Sequence, residues 1–209
     1  MSQNDAINNA YLVYTLRPKQ QLHRTFVSGL AEAAAETPKK VVIIWEADEI
    51  GEGREFTYKE LLKETCRVAN GMKHAGVRLG DTVAIYMPMI PEIACHVGLY
   101  PYRSVVFAGF SADAVRDRII DAKTKRVFTS GEGKRGGRTL LLRQIVDVAV
   151  RGLDFVRNVF IFKRTHNVDV MLNLKIDIDM DEEMPRHRPY CPAELMNSED
   201  LITNRIVGS

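Results

Sequence analysis

No run of apolar side chains in the 209 residues approaches the ~18 needed to span a bilayer. Cysteine is scarce and odd in number: Cys66, Cys95 and Cys191 are far apart. That excludes a disulfide framework and a Cys-based zinc site, and fits reduced intracellular thiols. Charge of one sign is also missing, because 29 Lys and Arg against 27 Asp and Glu leave a net +2. A surface built as a whole for nucleic acid is therefore not expected. Residues Met1–Ala10 are polar and lack the apolar centre of a secretory signal. From these absences the expectation is a cytoplasmic protein with no membrane and no nucleic-acid partner. What is present is ordinary: 45% hydrophobic and 27% charged residues, the composition of a globular chain rather than a disordered or fibrous one. At roughly 100–200 residues per domain, the length allows one domain or somewhat more.

Charge is unevenly spread. Eight basic residues lie between Arg116 and Arg138 against three acidic ones, a local net of +5. From His166 to the end, nine acids face four bases, a net of −5. This pattern is either a local anion site in the middle of the chain or a solvated mixed-charge face.

Apolar spacing predicts a helix over 20–37, ended by Thr37-Pro38. A β-branched run at 41–45, a Gly51-Glu52-Gly53 turn and a second short run at 54–58 predict a hairpin. Thr57 and Glu60 have the spacing of a capping box. The stripe Leu61, Thr65, Val68 and Met72 continues as a helix that Gly76 stops. Strands are predicted at 82–87, 104–107, 127–129 and 158–162. A short helix follows Pro91, another begins at Ser111, and a third spans 139–150. Strand and helix alternate, so the fold class is α/β: an incomplete, doubly wound, mainly parallel sheet with helices on both faces. Beyond Lys163 no period is visible. The expected division is a helical arm over 1–39, a subdomain over 40–165 and a poorly ordered, divergent tail over 166–209.

Two loops follow strands and read as helix openings. The first is Ala108-Gly109-Phe110-Ser111; the second runs from Ser130 to Arg138 and contains Gly131, Gly133, Gly136 and Gly137. Open parallel sheets bind ligands outside the carboxyl ends of their strands, so two such loops converge if their strands are neighbours. Free N–H groups at helix starts, glycine backbone and the forked donors of Arg135 and Arg138 all suit phosphate. The second loop is not a Walker loop, because Gly136 is followed by Gly137-Arg138 rather than Lys-Ser/Thr. It is either a phosphate site or an exposed turn.

Other patterns carry less. Asp177, Asp179 and Asp181 alternate as in a calcium loop, but Glu182 stands where that loop needs Gly and Arg188 where it needs Glu. The five histidines show no metal-ligand spacing, and no G-x-S-x-G elbow is present. No metal site and no catalytic residue is assigned. Trp45 reads as a core anchor.

Several blocks in order nevertheless resemble a known family. They are Trp45-Glu46-Ala47-Asp48-Glu49, Phe56-Thr57-Tyr58-Lys59-Glu60-Leu61, the stretch from Gly80 to Met89, and the stretch from Ser104 to Ser111. Further blocks are Arg118-Ile119-Ile120-Asp121, Gly133 to Arg138, Lys163-Arg164-Thr165 and Met196 to Asp200. Together they resemble the start of the AMP-forming acetyl-CoA synthetases, acetate–CoA ligases of the adenylate-forming superfamily. The resemblance covers residues 40–165 well and corresponds to roughly the first third of the family's length. It implies the N-terminal subdomain of the adenylate-forming fold. It also implies the family's reaction, in which acetate, ATP with Mg²⁺, and coenzyme A give acetyl-CoA, AMP and pyrophosphate. Phe107, Ala108, Gly109, Arg135, Gly136, Gly137 and Arg138 match positions that hold coenzyme A, with the arginines near its phosphates.

The sequence departs from the family in three places. The segment between Glu92 and Ser104 is shorter, the Trp-rich stretch expected near 168–192 is not recognisable, and Asp200 leads into Leu201-Ile202-Thr203 rather than a Ser/Thr/Gly-rich loop with a Lys. The expectation is therefore an N-terminal fragment, inactive alone because the ATP-phosphate loop and the C-terminal catalytic domain are missing. The alternative is a non-enzymatic module that binds coenzyme A or docks on a full-length synthetase.

Overall fold

The computed structural model describes residues 26–47, 51–78, 80–97, 102–135, 137–164, 175–192 and 203–204. Helix α1 (Phe26–Glu36) ends one residue before Thr37-Pro38, as the Pro rule requires. Residues 20–25 of the predicted helix and most of the 1–39 arm lie outside the described residues. Strands β1 (Val41–Glu46) and β2 (Gly53–Thr57) pair antiparallel as the expected hairpin. Thr57 then caps helix α2 (Tyr58–His74). Its hydroxyl accepts from the Glu60 N–H, while the Glu60 carboxylate accepts from the Thr57 N–H at 2.9 Å. Such reciprocal capping stabilises a helix start by about 1 kcal/mol.

A parallel sheet forms the body. Its strands are β3 (Thr82–Met87), β4 (Tyr102–Phe107), β5 (Arg126–Ser130) and β8 (Asn158–Phe162). Two short strands extend it, β9 (Asp177–Asp179) and β10 (Thr203–Asn204). The order across the sheet is β10-β4-β3-β5-β8-β9, and every pairing is parallel. Successive side chains of a strand point to opposite faces, and the core divides accordingly. Val83, Ile85, Met87, Phe128, Phe160 and Phe162 face one side, with Leu61, Val68 and Met72 of α2. Ala84, Tyr86, Val106, Val127, Val159 and Ile161 face the other, with Val115 and Ile119 of helix α4 (Ala112–Asp121) and Leu142 and Val146 of helix α5 (Leu142–Val150). Helix α3 (Glu92–Val97) follows β3 on the α2 side, where Ile90 and Cys95 join the first cluster. The α/β class with helices on both faces is thus what the chain adopts.

Two local expectations change. The helix predicted from Thr139 starts at Leu142, because β6 (Gly133–Arg135) and β7 (Arg138–Leu140) close an antiparallel hairpin first. The loop after β5 therefore opens into a hairpin, not directly into a helix. Secondly, 175–192, where the sequence shows no period, contains β9, a short helix α6 (Met180–Glu183) and a 3₁₀ turn (Met184–Arg186). Met180 is fully buried in the first cluster and anchors this segment.

The alternating aspartates of that segment have structural work. Asp177 takes the Arg143 guanidinium with both oxygens, at 2.8 and 2.6 Å. Asp179 pairs with the Lys163 ammonium and caps α6 through the Asp181 and Glu182 N–H groups. Asp181 accepts the Lys163 backbone N–H at 2.6 Å. Among the described residues no group of three His, Cys, Asp or Glu is placed to hold a metal.

Candidate site at the carboxyl edge of the sheet

The chain leaves β3 toward the α2 face and leaves β4 and β5 toward the opposite face. Beside β3 that direction reverses, and such a switch point is the place where open α/β sheets bind ligands. Three segments border it: residues 87–91 after β3, 107–111 after β4, and the hairpin after β5.

The 107–111 segment is held from below. Tyr86, fully buried on β3, donates its hydroxyl to the Phe110 carbonyl at 2.9 Å. Phe110 N–H donates to the Phe107 carbonyl at 3.2 Å, and the two rings meet edge to face at 6.1 Å. Phe107 is 56% exposed at the end of its strand. Ala108 and Gly109 lie between these anchors. Ser111 caps α4 by accepting from the Ala114 N–H at 3.4 Å, so one donor of that helix start is already used.

The second loop is buried at its root and exposed at its tip. Gly131 N–H donates to the Phe162 carbonyl, and the Ser130 hydroxyl to the Glu132 carbonyl at 2.7 Å. A Cβ on Gly133 would come within 3.0 Å of Pro88 Cβ and 3.2 Å of Leu142 Cδ1. The hairpin root is therefore seated directly on the turn after β3. Register sets Arg135 opposite Arg138 across the tip. Gly137 turns the chain at φ +74°, and Arg138 is exposed. Gly136 lies outside the described residues.

Gly133→Val is expected to cost about 1–3 kcal/mol through overpacking against Pro88 and Leu142. A shift of the urea midpoint measures it; an unchanged midpoint would show the root to be loosely seated.

The structure decides two points that the sequence leaves open at this edge. Strands β4 and β5 are not neighbours, because β3 lies between them. Two strand spacings, about 9.5 Å, separate their ends, and the Gly133–Pro88 contact is what leans the hairpin back over β3. Nor is the basic stretch a single patch. Arg126, at the opposite edge, pairs with Asp81 at 3.0 Å and donates to the Gly76 carbonyl at 2.7 Å. Arg116 donates to the Ala149 and Arg151 carbonyls and ties α4 to the end of α5. Only the Lys134, Arg135 and Arg138 positions of that stretch stand on the hairpin.

No sequence pattern marks the role of Trp45 at this edge. Its indole N–H donates to the Met89 carbonyl at 2.7 Å and fixes the β1–β2 hairpin to the turn after β3. The Arg164 guanidinium lies 5.7 Å from the Trp45 ring centroid, within cation–π range. Across the same region Glu92 faces Arg54 at 3.6 Å, and burial raises its carboxyl above the ordinary value.

A parallel sheet with helices on both faces, an exposed aromatic and a basic glycine hairpin beside its switch point make this an α/β protein of the doubly wound class. The family model for AMP-binding enzymes matches residues 30–151, more than half of the chain, and the chain belongs to that family. It is similar to acetyl-coenzyme A synthetase 1 of Kluyveromyces lactis, at 46% identity over 167 residues, covering 78% of this chain and 24% of that protein. It is 41% identical to acetyl-coenzyme A synthetase 1 of Saccharomyces cerevisiae over 201 residues, 90% of this chain and 28% of that one. The acetyl-coenzyme A synthetase of Penicillium chrysogenum is 46% identical over 175 residues, 81% and 26% respectively. The chain spans about a quarter of the length of these relatives. Nothing in these matches supports the alternative of a non-enzymatic module that binds coenzyme A or docks on a full-length synthetase. No described helix is long and apolar enough to cross a membrane.

Proposed function

We propose that these residues are the N-terminal part of an acetate–CoA ligase. That enzyme joins acetate to coenzyme A at the expense of ATP, with AMP and pyrophosphate as products. Within it, the carboxyl-edge switch point holds coenzyme A. The observation that carries this reading is the juxtaposition of the exposed Phe107 ring and the Arg135/Arg138 tip on either side of β3. An aromatic face suits a purine, and paired guanidinium groups suit a pyrophosphate or a 3′-phosphate. Coenzyme A carries all three. Tyr86 and Ser111 hold the Phe107 side, and the Gly133–Pro88 contact holds the arginine side. ATP and Mg²⁺ enter as co-substrates of the whole ligase, and no step of theirs is drawn from the residues described here.

Titration calorimetry tests the site. The 209-residue chain is expected to bind coenzyme A weakly, and Arg135→Ala with Arg138→Ala to abolish that binding. Equal affinity in both proteins would overturn the assignment. The same chain is expected to show no acetate-dependent pyrophosphate release, because the loop and the lysine that position and neutralise ATP phosphates in this family are not recognisable after Asp200. Release above a heat-killed control would refute that expectation.

A further inference from the structure

Cys66 and Cys191 meet where the 188–192 segment crosses α2. Asn70, one helical turn after Cys66, donates from Nδ2 to the carbonyls of Arg188 and Tyr190, both at 2.9 Å. Residues four apart share a helix face, so this clamp delivers the next residue, Cys191, to Cys66. Against the larger effect of burial, which raises it, the Cys191 backbone lowers the Cys66 thiol's pKa. Both thiols are free; Cys66 is buried and Cys191 half-buried. With 188–190 clamped one helical turn from Cys66, a disulfide requires the Cys191 side chain to leave the Pro192 carbonyl, to which its thiol donates at 3.8 Å, and turn toward α2.

We propose that Cys66 and Cys191 form a disulfide in response to hydrogen peroxide, reversible by a dithiol, locking the 188–192 strap to α2. The accessible Cys191 reacts first: its sulfur takes one peroxide oxygen, the O–O bond breaks, and sulfenic acid and water result. The Cys66 sulfur then loses its proton and attacks the Cys191 sulfur. The S–O bond breaks, the S–S bond forms, and the departing hydroxide leaves as water with that proton. Two thiols are oxidised and one peroxide is reduced to two waters. Burial pushes the Cys66 thiol up to about 11, so the second step is slow at neutral pH. The pair therefore answers sustained oxidant rather than a brief pulse. Cys95 sits in the core on α3, where burial pushes its thiol up to about 12, and it stays reduced.

The test uses the 209-residue chain treated with hydrogen peroxide, alkylated, digested without reductant and analysed by mass spectrometry. Free thiols are expected to fall from the three that the sequence supplies to one. A Cys66–Cys191 cross-linked peptide should appear and be lost on treatment with dithiothreitol. In Cys191→Ser both remaining thiols should survive the same treatment. In Cys66→Ser, Cys191 should stop at sulfenic acid and be trapped by dimedone. Wild-type protein that carries a dimedone adduct on Cys191 with Cys66 still alkylatable would overturn the proposal. So would a disulfide joining two chains through Cys191. The wild-type cross-link and the Cys191→Ser result are readable even if Cys66→Ser does not fold.

Discussion

Asp177→Ala is expected to destabilise the fold by about 3–5 kcal/mol, the cost of leaving a buried charge with too few partners. Arg143 is almost wholly buried, and Asp177 engages it through both carboxylate oxygens. Asp147 also pairs with Arg143 but is only half-buried, so it offsets only part of the loss. The contact joins α5 to β9 through residues 34 apart in sequence. A urea melt measures the effect. The double change Arg143→Met with Asp177→Leu separates charge from packing. It should recover most of the loss, because apolar replacements of a buried pair are often neutral or stabilising. If the double variant is as unstable as the single one, the pair acts through shape rather than charge.

Phe128→Ala is expected to cost a similar amount, about 3–5 kcal/mol. Phe128 is fully buried at the centre of the sheet, on the α2 face. Its ring stacks on Phe160 at 4.4 Å and 13° and lies 6.4 Å from Phe162. Removing it leaves a cavity bounded by two aromatic rings, which cannot collapse as flexible side chains would. Phe128→Leu should cost clearly less, and equal losses in the two variants would show that the site relaxes around the gap. The arginines proposed to hold coenzyme A belong to the hairpin after the same strand, so the alanine variant should also weaken ligand binding, through its unfolded fraction alone.

Where local chemistry decides the outcome, the sequence was legible. The strands at 82–87 and 158–162 follow from β-branched and aromatic runs bounded by turn residues. The Thr57–Glu60 box and the Ser111 cap follow from residue type and spacing. Long-range choices were not legible. Nothing local tells that β3 lies between β4 and β5, because neighbourship depends on which crossover takes which face. The hairpin at 133–140 has three-residue strands, too short for alternation to register, and its glycines read as loop. Strand β9 is mostly aspartate, and its partners Arg143 and Lys163 lie far back in the chain. For the site, the position of Phe107–Gly109 follows from the strand-end rule, while the weight given to Arg135 and Arg138 came from charge and family resemblance. The indole bond from Trp45 to Met89 spans 44 residues and has no sequence signature.

The acidic strand β9 bears on self-association. It closes one side of the sheet among the described residues, is three residues long, and carries two carboxylates. Unpaired sheet margins invite other chains to add strands, and short, charged ones resist this. A neighbouring copy docking there would find few backbone groups to pair with, and it would have to approach the carboxylates already engaged by Arg143 and Lys163. The residues that tie the sheet's last strand to its helices thus also make that margin a poor template for aggregation.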